Sequence, residues 1–188
     1  DDHDTARREG RAKLNLHDDH FLFTYQGLIA PGKGIETMLR AFAHAAAELP
    51  QLRLVLIGGI VDETLDHVPY AEFLRRLTDE LGIQPRVTWA GSFPFGADDC
   101  SVYLHASDAA VFAWDHGVRM NNSTLSNAAV HHLPILTTSP PDGQLDDLFT
   151  DGENLLLVPP KDPDAMARAM TRLARDPELR RRLAAGIG

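Results

Sequence analysis

Six short apolar runs, separated by segments with helical spacing, constrain this chain more than any other feature. They fall at residues 21–26, 52–57, 86–90, 109–114, from 133 onward, and at 154–158. Between them, apolar residues recur at helical intervals: Ile35, Met38, Leu39, Phe42, Ala43 and Ala46 before Pro50, then Phe73, Leu74, Leu77 and Leu81 before Gly82. Residues 100–106 form a short helix, and a further short helix is expected after the loop Ser139-Pro140-Pro141-Asp142-Gly143-Gln144. The tail reads as two helices broken at Asp176-Pro177, with Met166, Ala169, Met170 and Leu173 on one face of the first. Strands alternating with helices imply an α/β fold with a doubly wound parallel six-stranded sheet, Rossmann-like in its winding.

In such a sheet, ligands bind at the carboxyl edge, where strands run into helices. The best candidate is the stretch from Trp114 to Thr138. A buried strand ends at Asp115, a polar loop follows, and Ser123 or Thr124 can cap a helix carrying Leu125, Ala128 and Ala129. The N-terminus of that helix offers unpaired N–H groups and a positive dipole end, which suits a phosphate.

Composition removes several alternatives. A formal charge of −9 argues against nucleic acid, because phosphate neutralisation needs basic residues, and against an anionic membrane surface. An anion must therefore be held by a local device. The single cysteine, Cys100, excludes an internal disulfide and a cysteine-rich metal site, and reads as a small core residue. No apolar run is long enough to span a bilayer, so the expectation is a cytoplasmic protein with no membrane span. His131 and His132 are adjacent, hence point apart on a helix, and no metal is expected. Arg180-Arg181-Arg182 reads as a solvated helix face.

The loop from Gly27 to Lys33 matches the spacing G-x4-G-K of a phosphate-binding P-loop, after a strand and before a helix. The next residue is Gly34, where that motif needs a hydroxyl for Mg²⁺. Lys33 then reads either as an exposed lysine on a tight turn or as a cation reaching a diphosphate.

Taken together, Gly27-Leu28-Ile29-Ala30-Pro31-Gly32-Lys33-Gly34, Leu54-Val55-Leu56-Ile57-Gly58-Gly59 and Val87-Thr88-Trp89-Ala90-Gly91 carry a resemblance, as do Ala106-Ser107-Asp108, Leu133-Pro134-Ile135-Leu136-Thr137-Thr138 and the stretch Asp151 to Pro160. In this order the chain resembles the C-terminal domain of retaining glycosyltransferases of the GT-B architecture, similar to family 4. The resemblance implies a domain over residues 21–188 that binds a nucleotide-diphosphate sugar for retaining, metal-independent glycosyl transfer. It makes residues 1–20 a linker or surface helix from a missing N-terminal acceptor domain. It requires no cofactor, the nucleotide sugar being the donor substrate. By the same resemblance, Lys33, Arg119, Ser123 and Thr124 hold the donor diphosphate, while Gly91, Ser92, Phe93 and Asn127 contact the nucleoside. No catalytic residue falls in this half. The family's arginine before the lysine is Leu28 here, and its two glutamates fall on Arg119 and Asn127. These departures keep a second reading open, a catalytically degenerate binding or structural module.

Overall fold

The structure is a computed structural model that describes residues 2–93 and 99–187. Asp1 and Gly188, the outer limits of the expected segments, lie outside the described residues. In chain order, the first elements are α1 (Asp2–Lys13), β1 (Phe21–Gln26), α2 (Ile35–Glu48) and β2 (Leu52–Ile57). A small hairpin of β3 (Thr64–Leu65) and β4 (Val68–Pro69) follows, leading into α3 (Tyr70–Glu80). A 3₁₀ turn (Gln84–Arg86), β5 (Val87–Gly91), α4 (Asp99–Ala106) and β6 (Ala109–Phe112) come next. The chain continues through α5 (Ser123–Val130), β7 (Ile135–Thr138), β8 (Leu156–Val158), α6 (Pro163–Arg175) and α7 (Pro177–Ile187).

The main sheet has six strands in the order β5-β2-β1-β6-β7-β8, and every pair in it is parallel. The chain winds outward from β1 to β5, returns beside β1 as β6, and winds to the other edge. The strand order therefore reverses between β1 and β6. The expected six-stranded, doubly wound sheet is present, with boundaries moved by a residue or two.

Burial explains the local choices. Leu22, Phe23, Thr24 and Tyr25 of β1 are all buried, as are all four residues of β6 and of β7. Strands covered on both faces read as continuous apolar runs. On α2, Ile35, Met38, Leu39, Phe42 and Ala46 turn inward, while Ala43 is half-buried. On α6, Met166, Ala169, Met170 and Leu173 are buried, and α2 packs against α6. Asp162 caps α6 by accepting from the Ala165 N–H at 2.9 Å, and Pro163 fills its first position. Helix α3 stops at Gly82, which takes a left-handed φ of 65°.

Helix α1 packs against α4. Arg7 and Arg11 both reach the Asp108 carboxylate, at 2.6 and 3.4 Å, and that carboxylate also accepts the Leu22 N–H at 2.8 Å. A Cβ on Gly10 would meet the Val102 carbonyl at 2.2 Å, so the helices approach backbone to backbone.

Several expectations are corrected. No helix forms after the Pro140-Pro141 loop: residues 141–150 are turns, a bend and irregular chain. The side chains of Asp142 and Asn154 take up local main-chain groups there, accepting from the Gln144 and Thr150 N–H and donating to the Leu148 carbonyl. Such bonds compete with a helical ladder. Helix α5 is not capped by Ser123 or Thr124, because it begins one residue earlier than that role requires. Asn122 is the cap residue, and its side chain accepts the Arg119 N–H at 2.8 Å instead. The Arg180-Arg181-Arg182 run is not a uniformly solvated face. Arg180 is half-buried, donates to the Leu173 and Ala174 carbonyls at the end of α6, and lies 5.2 Å from the Phe21 ring centroid. Cys100 is half-buried and packs against the apolar core, as expected, while also accepting a bond from the Gln26 amide at 3.0 Å. Burial pushes its thiol pKa up.

Candidate functional site at the carboxyl edge

The loops after β1 and β6 flank the point where the strand order reverses, the place where open α/β sheets bind ligands. Main-chain contacts hold them there. The Asp115 N–H donates to the Gly32 carbonyl at 3.1 Å, tying the loop after β6 to the loop after β1. Gly34 sits at φ 71°, and a Cβ on it would lie 1.7 Å from the Ala113 carbonyl oxygen. Gly58 stands at φ 154°, where a Cβ would meet the Gly27 carbonyl at 1.8 Å. The loop after β6 is joined in turn to the end of β7: the Val118 N–H donates to the Thr138 carbonyl at 2.8 Å, and the Thr138 hydroxyl donates to the Trp114 carbonyl at 2.6 Å.

These ties bring most of the sequence-derived candidates to one edge. Lys33 is half-buried on the Gly27–Gly34 turn, with no ion-pair partner among the described residues. Thr124 approaches the same turn, its Cγ2 standing 3.5 Å from the position of a Cβ on Gly27. Ser123 is exposed at the first position of α5, whose leading N–H groups have no intrahelical acceptor. Ser92 lies beside Gly59, 3.6 Å from the position of a Cβ there, so the loop after β5 meets the loop after β2. Gly91 has a left-handed φ of 78°, and Phe93 packs on Tyr103 with ring centroids 5.7 Å apart.

Two candidates are engaged by protein partners. Arg119 donates to the Gln144 carbonyl at 2.6 Å and pairs with Asp142 at 3.0 Å. The backbone N–H of Gln144 and Arg119 together hold the exposed Asp142 carboxyl below the usual carboxylate range. The Asn127 amide donates to Gln26 Oε1 at 2.8 Å, and Gln26 passes its own amide to Cys100. Asn127 is thus fixed to the end of β1, with its carbonyl oxygen outside that bond.

Sequence reasoning missed Lys161. It sits on the loop after β8 at φ 56° and lies 3.7 Å from Asp115, which brings a second ammonium to this edge. Its position directly after the last strand, in Pro159-Pro160-Lys161, is the signal that was available. His131 ends α5, with Nδ1 2.8 Å from the Asn127 carbonyl and Nε2 2.6 Å from the Ser101 hydroxyl. Among the described residues, no group of three or more His, Cys, Asp or Glu is placed to hold a metal ion. No helix among them is long and apolar enough to cross a membrane.

Comparison with known proteins settles the family. Residues 6–186 match the model of the family described as glycosyl transferases group 1. The chain belongs to that family. A D-inositol 3-phosphate glycosyltransferase of Stackebrandtia nassauensis is 31% identical over 184 residues, covering 94% of this chain and 39% of the relative. Among solved structures, the C-terminal domain of a group 1 glycosyl transferase from Francisella tularensis superimposes with a TM-score of 0.78 at 20% identity, covering 96% of this chain and 88% of that one. Anabaena Alr3699/HepE, solved in complex with UDP and glucose, gives a TM-score of 0.81 at 18% identity over 97% of this chain and 46% of its own. The chain spans less than half the length of the first curated relatives it matches. The fold is that of the C-terminal Rossmann-like half of GT-B glycosyltransferases.

Proposed function

We propose that this group 1 glycosyltransferase domain holds a nucleotide-diphosphate sugar at its carboxyl edge, for transfer with retention of configuration. One observation carries the reading: the Lys33 turn and the start of α5 meet at the reversal between β1 and β6, through Gly27 and Thr124. The turn that carries Lys33 adjoins a helix N-terminus there, a pairing of cation and dipole end that suits a diphosphate. The solved Anabaena relative carries UDP and glucose, which makes UDP the first ligand to try.

The chemistry follows from charge. When the sugar departs, negative charge builds on the nucleoside diphosphate. Lys33 and the leading amides near Ser123 and Thr124 oppose it from fixed positions, which is where electrostatic stabilisation is most effective. Arg119 joins them once its bond to Asp142 is exchanged for phosphate. Asn127, held by Gln26, turns its carbonyl oxygen to a ribose hydroxyl, with the loop Gly91-Ser92-Phe93 beside the base. No metal is needed in this scheme, because Gly34 offers no hydroxyl where a P-loop would place one.

The second reading, a degenerate binding module, is favoured by Arg119 and Asn127 already having protein partners. Calorimetric titration with UDP separates the two. Saturable binding that persists in EDTA supports the donor site. A chain that binds no nucleoside diphosphate is the degenerate module, and binding abolished by EDTA points instead to a metal-dependent site.

A further inference from the structure

A second basic site lies at the opposite edge of the sheet. A cavity of about 340 Å³ opens at the amino ends of β1 and β2, and its lining includes Asn15, His17, His20, Arg53, Arg86 and Thr88. In a chain carrying −9 charges, no carboxylate among the described residues lines this cavity. The guanidinium groups are not free surface heads. Arg53 is anchored by the Pro50 and Leu52 carbonyls, each at 2.8 Å, and Arg86 by the Ala46 carbonyl at 3.0 Å.

The decisive detail is His20. Its Nδ1 is 3.0 Å from the His17 backbone N–H, and its Nε2 is 3.0 Å from an Arg53 guanidinium nitrogen. Both partners can only donate. The backbone donor is fixed, so Nδ1 keeps its lone pair and Nε2 carries the proton. The Nε2–H and the Arg53 N–H then face each other as two donors with no acceptor between them. A small shift of the Arg53 head, with one oxyanion placed against both, satisfies each. The surrounding electrostatics agree. Burial, then the charge of Arg86, pulls the Arg53 pKa down, while burial, then Arg53, does the same to His20. Arg11 adds positive charge from α1, and Asp19, on the same loop as His20, opposes the trend from outside the lining.

We propose that this cavity is an anion site for a phosphate group, either inorganic phosphate or the phosphate of a small phosphomonoester. A dianion matches the two anchored guanidinium groups, and the imidazole N–H supplies a third donor. The site is distinct from the diphosphate site at the carboxyl edge and does not depend on it.

The test is an NMR titration of the ¹⁵N-labelled chain with inorganic phosphate and, separately, with glycerol 3-phosphate. Saturable amide shifts are expected at residues 16–22 and 86–88. Arg53→Gln and Arg86→Gln should each weaken binding about ten- to a hundredfold. Arg53→Lys keeps the charge and should retain part of the affinity. Lys33→Ala should leave these shifts unchanged, which separates this site from the donor site. Equal affinity for the two probes means that the cavity reads phosphate alone, and tighter ester binding means that its remaining volume is used. Shifts confined to the carboxyl edge overturn the proposal. So does affinity indifferent to Arg86→Gln in a chain whose spectrum shows it folded, or no saturable shift with either probe.

Discussion

Lys33 is the residue on which the donor reading turns. Replacing it with Ala should weaken UDP binding about ten- to a hundredfold, because a hydrogen bond to a charged group contributes roughly 1.5–3 kcal/mol. Uridine, which lacks the phosphates, should bind both versions alike, and the melting temperature should hardly move. Equal weakening of both ligands in calorimetry would remove Lys33 from the phosphate site. Arg119 makes the complementary case. Asp142→Asn loosens its grip on Arg119, so UDP affinity should rise severalfold if the guanidinium is a phosphate ligand. An unchanged affinity would leave Arg119 a structural residue. The turn that carries Lys33 was legible because its residues are contiguous in sequence. The Arg119–Asp142 pair joins residues 23 apart across a loop that was expected to lead into a helix, so no local pattern announced it. Lys161 was obscured for a related reason: it becomes part of this edge only when β8 pairs beside β7.

At the level of elements, helical faces and strand cores were readable because they rest on local periodicity and burial. The α2 and α6 stripes named from spacing are buried apart from the half-buried Ala43, and the two helices pack together. The start of α5 was less readable, since Asn122, Ser123 and Thr124 are all good caps and only tertiary contacts choose among them. The junction of α1, α4 and α5 is invisible in sequence. There the rings of His3, His105 and His131 stand in edge contact, with centroids 4.8 Å apart at each step. Among the described residues, His105 Nδ1 is buried without a hydrogen-bond partner. Burial, followed by the charges of His131 and His3, lowers the His105 pKa from 6.5. A folded pKa below the unfolded one means that the native state binds fewer protons. The stabilisation is thus present above about 6.5 and is lost as pH falls from there through the folded value. Thermal melts should show stability falling on acidification, with a smaller fall in His105→Gln. An identical pH profile in the variant would dismiss the contribution.

For the whole molecule, the relatives are more than twice as long as this chain, and transfer needs an acceptor as well as a donor. We expect the chain alone to bind UDP without transferring sugar, because closing a cleft around both substrates assembles the reacting geometry and excludes water. Sustained release of UDP from UDP-glucose by the purified chain, with an acceptor present, would contradict this. The parallel sheet and its winding were legible from the alternation of strand and helix. The meeting of loops at the β1–β6 reversal was not, because it depends on strand order, which alternation alone leaves open.

The glycine contacts behind the candidate site bear on how such a domain can change over generations. Gly34 rests on the Ala113 carbonyl and Gly58 on the Gly27 carbonyl, main chain against main chain. Gly34→Ala should cost at least about 2 kcal/mol in urea unfolding, since both its φ and its space exclude a side chain. The placement of the turn therefore rests on main-chain contacts and on the buried Ile29, and not on its exposed side chains. Leu28, 56% exposed on that turn, can be exchanged without moving Lys33. A lineage is free to try different groups against a donor at this position while the glycines keep the frame constant, so drift in ligand preference should concentrate at Leu28 and spare Gly34 and Gly58.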